Sequence, residues 1–414
     1  MAVKISEPGD VKINRIEITN KNIKAITNPL DQVIGIDIYE DITKPTMFAT
    51  LVFSDNIDML NKFPFIGEED VTIEFQTPGM SKPVKYIFKS YEISNVQKDA
   101  NGKGVTYMMK CISEEHLHNG SSFVTRSIND IVSNMVPVLL NGYLHTPKSL
   151  IIDPTKGIQT IVFPKITPLQ CIDMIRQRAV SKEYPTSSYV FFENQAGFNF
   201  KTIEGLIKDG KASIGSREFN AQQDTMATKE SQAMAYRTII QYQNISRSDS
   251  IKKSAEGAFK AITKTFDLAT KDFGSADFNV KDIFNKIQMP GKSKQIPNSD
   301  DFINTYGSGS PKQFFTPKDS SRPDNFIDAA MAARNSFMVL LNSDVTRVAV
   351  HGDSGLKVGD TIRLNLPEAS GTTGAKKRDA MTSTEYMIIR LRHSITPSTK
   401  TKHQIIFDCV KMGI

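Results

Sequence analysis

Apolar and polar residues alternate with a period of two in two widely separated parts of the chain, and that period is satisfied only by strands that bury one face. In the first 115 residues the runs are Val33-Ile34-Gly35-Ile36-Asp37-Ile38, Thr46 to Ser54 with Phe48, Leu51, Val52 and Phe53, and Val71-Thr72-Ile73-Glu74-Phe75. Tyr86 to Val96 follows. The Asn101-Gly102 pair then supplies the positive φ of a tight hairpin turn, and the chain returns through Val105, Tyr107, Met109 and Cys111. Near the C-terminus the same character returns in Val345 to Val350, Thr361 to Leu366, Tyr386 to Ile395 and Gln404 to Val410. Strands at this spacing predict antiparallel barrels or sandwiches.

The two β-regions also agree in order. Glu69 precedes Val71, Ile73 and Phe75, and Asp360 precedes Ile362, Leu364 and Leu366 at the same spacing. Each run leads to a strand beginning at a tyrosine, Tyr86 or Tyr386, and then to a strand ending at a cysteine, Cys111 or Cys409. The expectation is an internal duplication; two unrelated antiparallel domains are the plainer alternative.

Between these regions the period changes. Ser127-Ile128-Asn129-Asp130 has the form of a capping box, and Ile128, Ile131, Val132, Met135 and Val136 then share one helical face, with Pro137 ending or kinking the helix. Thr167-Pro168-Leu169-Gln170 is a second start signal, followed by Leu169, Ile172, Ile175 and Ala179 along one side. Tyr189 to Phe192, a turn over Asn194 to Gly197, and Phe198 to Ile203 predict a hairpin. Residues 119 to about 228 therefore read as mixed α+β. From 246 to 325 polar residues dominate: Phe259, Ile262 and Phe266 suggest an amphipathic helix, Pro290 to Pro323 with Gly307-Ser308-Gly309-Ser310 a long loop, and Phe326 to Leu341 a further helix.

Composition bounds the function. The 414 residues predict two to four domains. Lys+Arg 51 against Asp+Glu 45 gives +6, far from the dense basic stripe of a dedicated nucleic-acid binder. Cys111, Cys171 and Cys409 are too few and too scattered for a disulfide framework or a cysteine zinc site. The N-terminus lacks the apolar region of a signal peptide, and no stretch approaches the roughly 18 apolar residues of a membrane span, so a soluble protein made in a cytoplasm is expected.

The stretch His351-Gly352-Asp353-Ser354-Gly355-Leu356-Lys357-Val358-Gly359-Asp360-Thr361-Ile362-Arg363-Leu364, with Tyr386 to His393 and a final strand, resembles the second barrel of the central baseplate hub proteins of contractile-tailed, T-even-like bacteriophages. The hub half of type VI secretion spike proteins is a more distant relative. Phe163-Pro164-Lys165-Ile166-Thr167-Pro168, Tyr189 to Glu193 and Gly197-Phe198-Asn199-Phe200 look like the domain such hubs insert between two barrels. The resemblance implies a mainly β fold of two tail-tube-like antiparallel barrels related by duplication. The first covers 1–118 and the second 230–245 and 336–414, with an α+β domain at 119–229 and a polar insertion at 246–335. It implies a non-enzymatic homotrimer, a symmetry adaptor between a hexameric tail tube and a trimeric central spike. Its partners would be tail tube proteins, a separate spike polypeptide and baseplate wedge proteins. DNA would pass through its channel without sequence-specific contact, and the protein would reside in the virion baseplate, assembled in the host cytoplasm, with no membrane insertion. A hub from a phage-derived injection particle fits the same residues.

No catalytic, cofactor-binding or metal-ligating residue is assigned. Gly352-Asp353-Ser354-Gly355 invites a serine-protease reading, but Leu356-Lys357 follows where that family has Gly-Pro, so a turn is expected. Glu114, Glu115, His116 and His118 lack a further ligand at fixed spacing and read as exposed boundary residues. Glu68-Glu69-Asp70 reads as a solvated turn rather than a glycosidase pair. Gly371 to Lys376 lacks the P-loop spacing, and Lys376-Lys377-Arg378 is a short basic patch on a hairpin loop. Phe191, Phe192 and Phe198 are assigned to the core. The rival function is a tail-associated hydrolase acting on cell wall or protein through Ser354 or the acidic cluster.

Overall fold

The computed structural model describes residues 7–20, 23–63, 65–78, 80, 82–98, 104–211, 217–221, 236–247, 250–284, 286–287, 312–318, 327–342, 344–367, 379, 382–397 and 401–411. The Asn101-Gly102 turn, Gly307 to Ser310 and Lys376 to Arg378 lie outside them. The N-terminal strands are β1 (Lys12–Asn20), β2 (Ile23–Thr27), β3 (Val33–Asp41), β4 (Phe48–Asp55), β5 (Asp70–Gln76), β6 (Val84–Lys98) and β7 (Val105–Ile112). The alternation is borne out: β5 buries Val71, Ile73 and Phe75, and β4 buries Ala49, Leu51 and Phe53.

The middle of the chain carries β8 (Val124–Ile131), β9 (Leu150–Ile152), β10 (Ile158–Ile166), β11 (Tyr189–Asn194) and β12 (Gly197–Thr202). β8 pairs with β10, while β11, β12 and β9 form a second small sheet. Both strands of the β11–β12 hairpin are buried at every residue, as expected of a ribbon enclosed on both sides. The helix Pro168–Arg178 begins at the Thr167–Gln170 capping box read from the sequence, with Pro168 in its first turn. The other start signal is misplaced. Ser127 to Asp130 lie in β8, and the helix runs Val132–Leu139, starting after Ile131. Ile128 and Ile131 are paired opposite Ile161 and Ile158, and ladder hydrogen bonds to β10 outweigh the local helix signal. Pro137 does not end that helix; the chain widens after it into a π-turn over Leu140–Leu144.

The later strands are β13 (Glu218–Ala221), β14 (Thr238–Arg247), β15 (Lys260–Asp267), β16 (Phe273–Asn279), β17 (Lys312–Lys318), β18 (Asp344–His351), β19 (Thr361–Asn365), β20 (Glu385–Thr396) and β21 (Lys402–Lys411). The expected helix through Phe259, Ile262 and Phe266 is instead strand β15, where Ala261, Thr263, Thr265 and Asp267 turn inward at period two. Its β-branched threonines favour that state. β17 likewise puts a strand inside the expected loop, and β16-β15-β17 form a sheet that packs on the helix Ile327–Leu341.

Thirteen strands make one sheet in the order β19-β13-β14-β18-β21-β20-β3-β4-β7-β6-β5-β1-β2, and a β19–β20 pairing closes the first six into a ring. The remaining seven stay open. The ring is not wholly antiparallel, because β13 pairs in parallel with both β14 and β19. A parallel neighbour demands a crossover, and 16 residues separate Ala221 from Thr238. Three buried clusters lie beneath these layers. One gathers Val11 to Cys111, one Val124 to Phe200, and one the ring with Phe259 and the helix Ile327–Leu341.

The two parts of the large sheet run through the same strand order: β1-β5-β6-β7-β4-β3 in one, β13-β19-β20-β21-β18-β14 in the other. Registers agree around the two cysteines. Cys111 sits opposite Ala49 and Ser90, and Cys409 opposite Thr346 and Ile388. Ser90 N–H donates to the Glu69 carbonyl and Ile388 N–H to the Asp360 carbonyl, both at 2.9 Å. Register shifts fall at matching places, Ser90/Glu92 with Ile388/Arg390, and Val33/Gly35 with Ile239/Gln241. The tyrosine match read from the sequence is two residues off, since Tyr386 faces Ile362 as Phe88, not Tyr86, faces Val71. A shift of two keeps the buried face, which is why pattern alone does not detect it.

Candidate assembly interface

At the matching bulges the two parts differ. β20 pairs with β19 through Met387 and, after the Ile388/Arg390 bulge, changes partner to β3, with Arg390 opposite Asp41 and Ile395 opposite Ile36. This seam joins ring to open sheet. On its outer face Arg392 grips Asp37 through two hydrogen bonds of 2.9 and 2.7 Å and lies over the Tyr39 ring, which stacks on Phe48 at 4.6 Å. Arg390 pairs with Asp41 at 3.2 Å.

The inner face of the seam is buried. His393 Nδ1 lies 3.1 Å from His403 Nε2, its Nε2 lies 3.4 Å from the Tyr86 hydroxyl, and Phe75 packs edge-on against both imidazoles. Burial holds His393 at about 3 and His403 well below the ordinary histidine range, so both rings are neutral at physiological pH. Gly352 is required beside them, because a Cβ there would fall on the His403 ring.

Buried carboxylates tie the middle region to both sheets. Glu40 on β3 accepts from Gln195 N–H at 3.0 Å and Val358 N–H at 2.9 Å, and burial pushes its carboxyl up to about 8. Glu193 on β11 accepts from Met47 N–H, the Ser113 hydroxyl and Lys148, and Lys148 also reaches Glu115 at 2.6 Å. Burial raises the Glu193 carboxyl, with Lys148 opposing. From the far side, Arg334 donates to the carbonyls of Ser187, Gln177 and Ala179, fastening the helix Ile327–Leu341 to the middle region.

Besides the end strand β2, two stretches of the large sheet have a strand on one side only among the described residues. Past its bulge β6 pairs only with β7, so among the described residues Tyr91–Lys98 has no strand on its other side. β14 pairs with β13 only at Thr238 and Ile239, which among the described residues leaves Tyr242–Ile245 with β18 alone. Tyr91, Val96, Ile240, Tyr242 and Ile245 are each 42 to 49 % exposed, whereas Ile36, in the place on β3 that Tyr242 occupies on β14, is 1 % exposed. A long apolar edge invites another strand.

The residues flagged for chemistry serve structure. Ser354 is buried with its hydroxyl 2.7 Å from that of Thr77, at the turn expected there. Glu69 is not in a solvated turn. It is buried, and although burial alone would raise its carboxyl, the Ser90 hydroxyl and backbone N–H donors hold it below the ordinary range. Glu114 to His118 lie on the helix Glu114–Ser121, and Glu115 is buried against Lys148 rather than exposed. Among the described residues no three His, Cys, Asp or Glu side chains gather as metal ligands, and no helix is long and apolar enough to cross a membrane. Phe191, Phe192 and Phe198 are core residues. Sequence reasoning missed the seam pairs Arg390–Asp41 and Arg392–Asp37, whose one signal was placement on the polar face of alternating strands, and the helix anchor Arg334, which carried none.

No protein-family model matches the sequence, and no curated protein matches it. The fold has solved counterparts. A tail protein from Neisseria meningitidis superposes with a TM-score of 0.56 at 8 % identity over 96 % of both chains. The 43 kDa tail protein of prophage MuSo2 from Shewanella oneidensis gives 0.53 at 10 % identity, over 97 % of this chain and 100 % of that one. A type VI secretion component from E. coli gives 0.47 at 9 % identity over 97 % and 76 %. The chain thus has the fold of phage tail proteins, mainly β and built on large sheets.

Proposed function

We propose that the chain is a structural hub of a contractile-tail baseplate, a homotrimer that adapts the sixfold tail tube to the threefold central spike and encloses part of the DNA passage. The observation that carries this reading is the pair of leftover edges. Matching registers put β6 in the role of β20 and β14 in the role of β3. The seam made within one chain by β20 and β3 can therefore be made between chains by β6 of one copy and β14 of the next. Each chain contributes one internal seam and one external seam, and three copies close a ring of six equivalent β-units. In this reading the two β-regions are a duplicated tube-like barrel, one closed and one open, with the span 119–229 as the domain between them and 246–335 as an insertion. Tail tube and spike proteins are the partners such a ring meets, and the virion baseplate is where it acts.

The hydrolase reading draws no support from Ser354 or Glu69, whose polar atoms are committed to buried partners. Light scattering over a concentration series tests the proposal. A mass near three times 46.1 kDa, with threefold ring-shaped class averages in negative stain, is expected. A monomer at all concentrations contradicts it.

A further inference from the structure

The outer face of the large sheet is studded with charge, yet every cation at its centre is answered. Arg347 on β18, Asp408 on β21, Arg390 on β20 and Asp41 on β3 stand opposite one another in one row across four strands, with contacts of 2.7, 3.7 and 3.2 Å. Further along the strands, on the same face, Arg392 holds Asp37 at 2.7 Å and Lys110 holds Glu92 at 2.8 Å. Four cations thus meet four carboxylates. At the ends of the face, Lys89 is paired with Asp70 and Lys402 with Asp10. The balance is not compositional, since the chain as a whole carries +6. Nor is it a copied motif. Lys110–Glu92 and Asp408–Arg390 occupy matching positions with their signs reversed, so compensation recurs where the residues themselves do not.

Geometry says where this face points in an assembled ring. The buried clusters lie on the opposite side of the seam, with Leu391, His393, Ile395, Ile36 and Ile38 all turned inward. When such units close into a ring, the bulky cores take the outside and the bare sheet face lines the lumen. We propose, resting on the trimeric-ring reading above, that this ion-paired face is the lumen wall, and that its neutralised charge lets a polyanion of the nucleic-acid class pass without being held. Unanswered arginines there would each bind a phosphate and release counterions, whereas unanswered carboxylates would repel the strand. Arg–carboxylate pairs do neither and still provide a hydrophilic wall.

The test uses the full chain and a 15-base-pair duplex followed by fluorescence anisotropy at about 150 mM salt, near physiological ionic strength. Two variants unbalance the face by different routes. Asp37→Asn with Asp41→Asn frees Arg392 and leaves Arg390 only the more distant Asp408, which it shares with Arg347, and Met108→Lys with Gln404→Lys adds cations while leaving every ion pair intact. Circular dichroism and light scattering on the same samples establish folding and mass. The expected result is an at least tenfold gain in duplex affinity for a folded trimeric variant, with a steeper loss on adding salt than the parent shows. A parent trimer that binds the duplex as tightly as the variants, or trimeric variants that bind no more tightly than the parent, overturns the role of this face alone. A parent that is monomeric overturns the ring and this role together.

Discussion

The C-terminal six strands close on themselves while the matching N-terminal strands stay open, and one short strand makes the difference. β13 is four residues long and inserts between β14 and β19, pairing in parallel with both. Its counterpart β1 is nine residues long and antiparallel to β5, and its other side is taken by β2 rather than by β3. Closure therefore depends on the direction in which the first strand enters, not on the five strands that follow it in the same order. The same comparison explains the seam. Both long strands carry a bulge at the same place, and in β20 the residues beyond it have found β3, while in β6 they still face solvent.

The largest effect is expected where that asymmetry is attacked. Val96→Lys together with Ile245→Lys places charge on both open edges, the device by which natural sheets discourage edge pairing. The trimer should fall apart to monomer in light scattering, while monomer stability by urea unfolding changes by less than about 1 kcal/mol, as usual for exposed sites. Next come the matched core positions. Phe407 and Met109 are both buried two residues before their cysteines, one inside the closed ring and one beneath the open sheet. Phe407→Ala should cost about 4 kcal/mol and Met109→Ala about 3 kcal/mol in urea unfolding, in line with large-to-small core substitutions. A reversed order would mean that the open sheet tolerates cavities less than the closed ring.

The seam also predicts a pH response. His393 titrates at about 3 in the folded chain against its ordinary 6.5, so as pH falls below 6.5 the unfolded chain takes up a proton that the native one refuses. Stability then declines until about pH 3, and His403 acts in the same direction. Glu40 opposes them. Its folded value of about 8 exceeds the ordinary 4.5, so its contribution is complete below 4.5 and is lost as pH rises toward 8. Each group carries a slope of about 1.4 kcal/mol per pH unit within its window. Between pH 4.5 and 6.5 the Glu40 term therefore offsets one histidine. Glu40→Gln should make acid destabilisation steeper across that interval in thermal melts. The smallest effect belongs to the outer face. Arg392→Ala should cost about 1 kcal/mol, because a bidentate pair to Asp37 that is half in solvent is screened, whereas Ser94→Ala at the matching open position should leave the monomer unchanged.

Much of this was legible in the sequence, and the limits are physical. The period-two runs and the Thr167 capping box are local signals, and each lies where the sequence places it. β15 escaped because Phe259, Ile262 and Phe266 mimic helical spacing while the residues that turn inward are threonines. The start of the helix Val132–Leu139 escaped because β8 gains its partner from β10, some thirty residues on. Glu69, Glu115 and Glu193 look like surface acids until their partners arrive from up to 146 positions away, and no spacing rule spans that distance. The closing strand β13 is too short to carry a period at all.

The central claim, that the open edges of β6 and β14 complete each other between copies, is tested most directly by cross-linking. Ser94 matches Arg392 and Ser246 matches Tyr39, and Arg392 and Tyr39 are direct partners in the internal seam. Separately purified Ser94→Cys and Ser246→Cys chains should form a disulfide-linked pair only when mixed and oxidised, and the double variant should yield a covalently closed trimer. Chains that remain monomeric under the same oxidation, with the thiols free, would contradict the account.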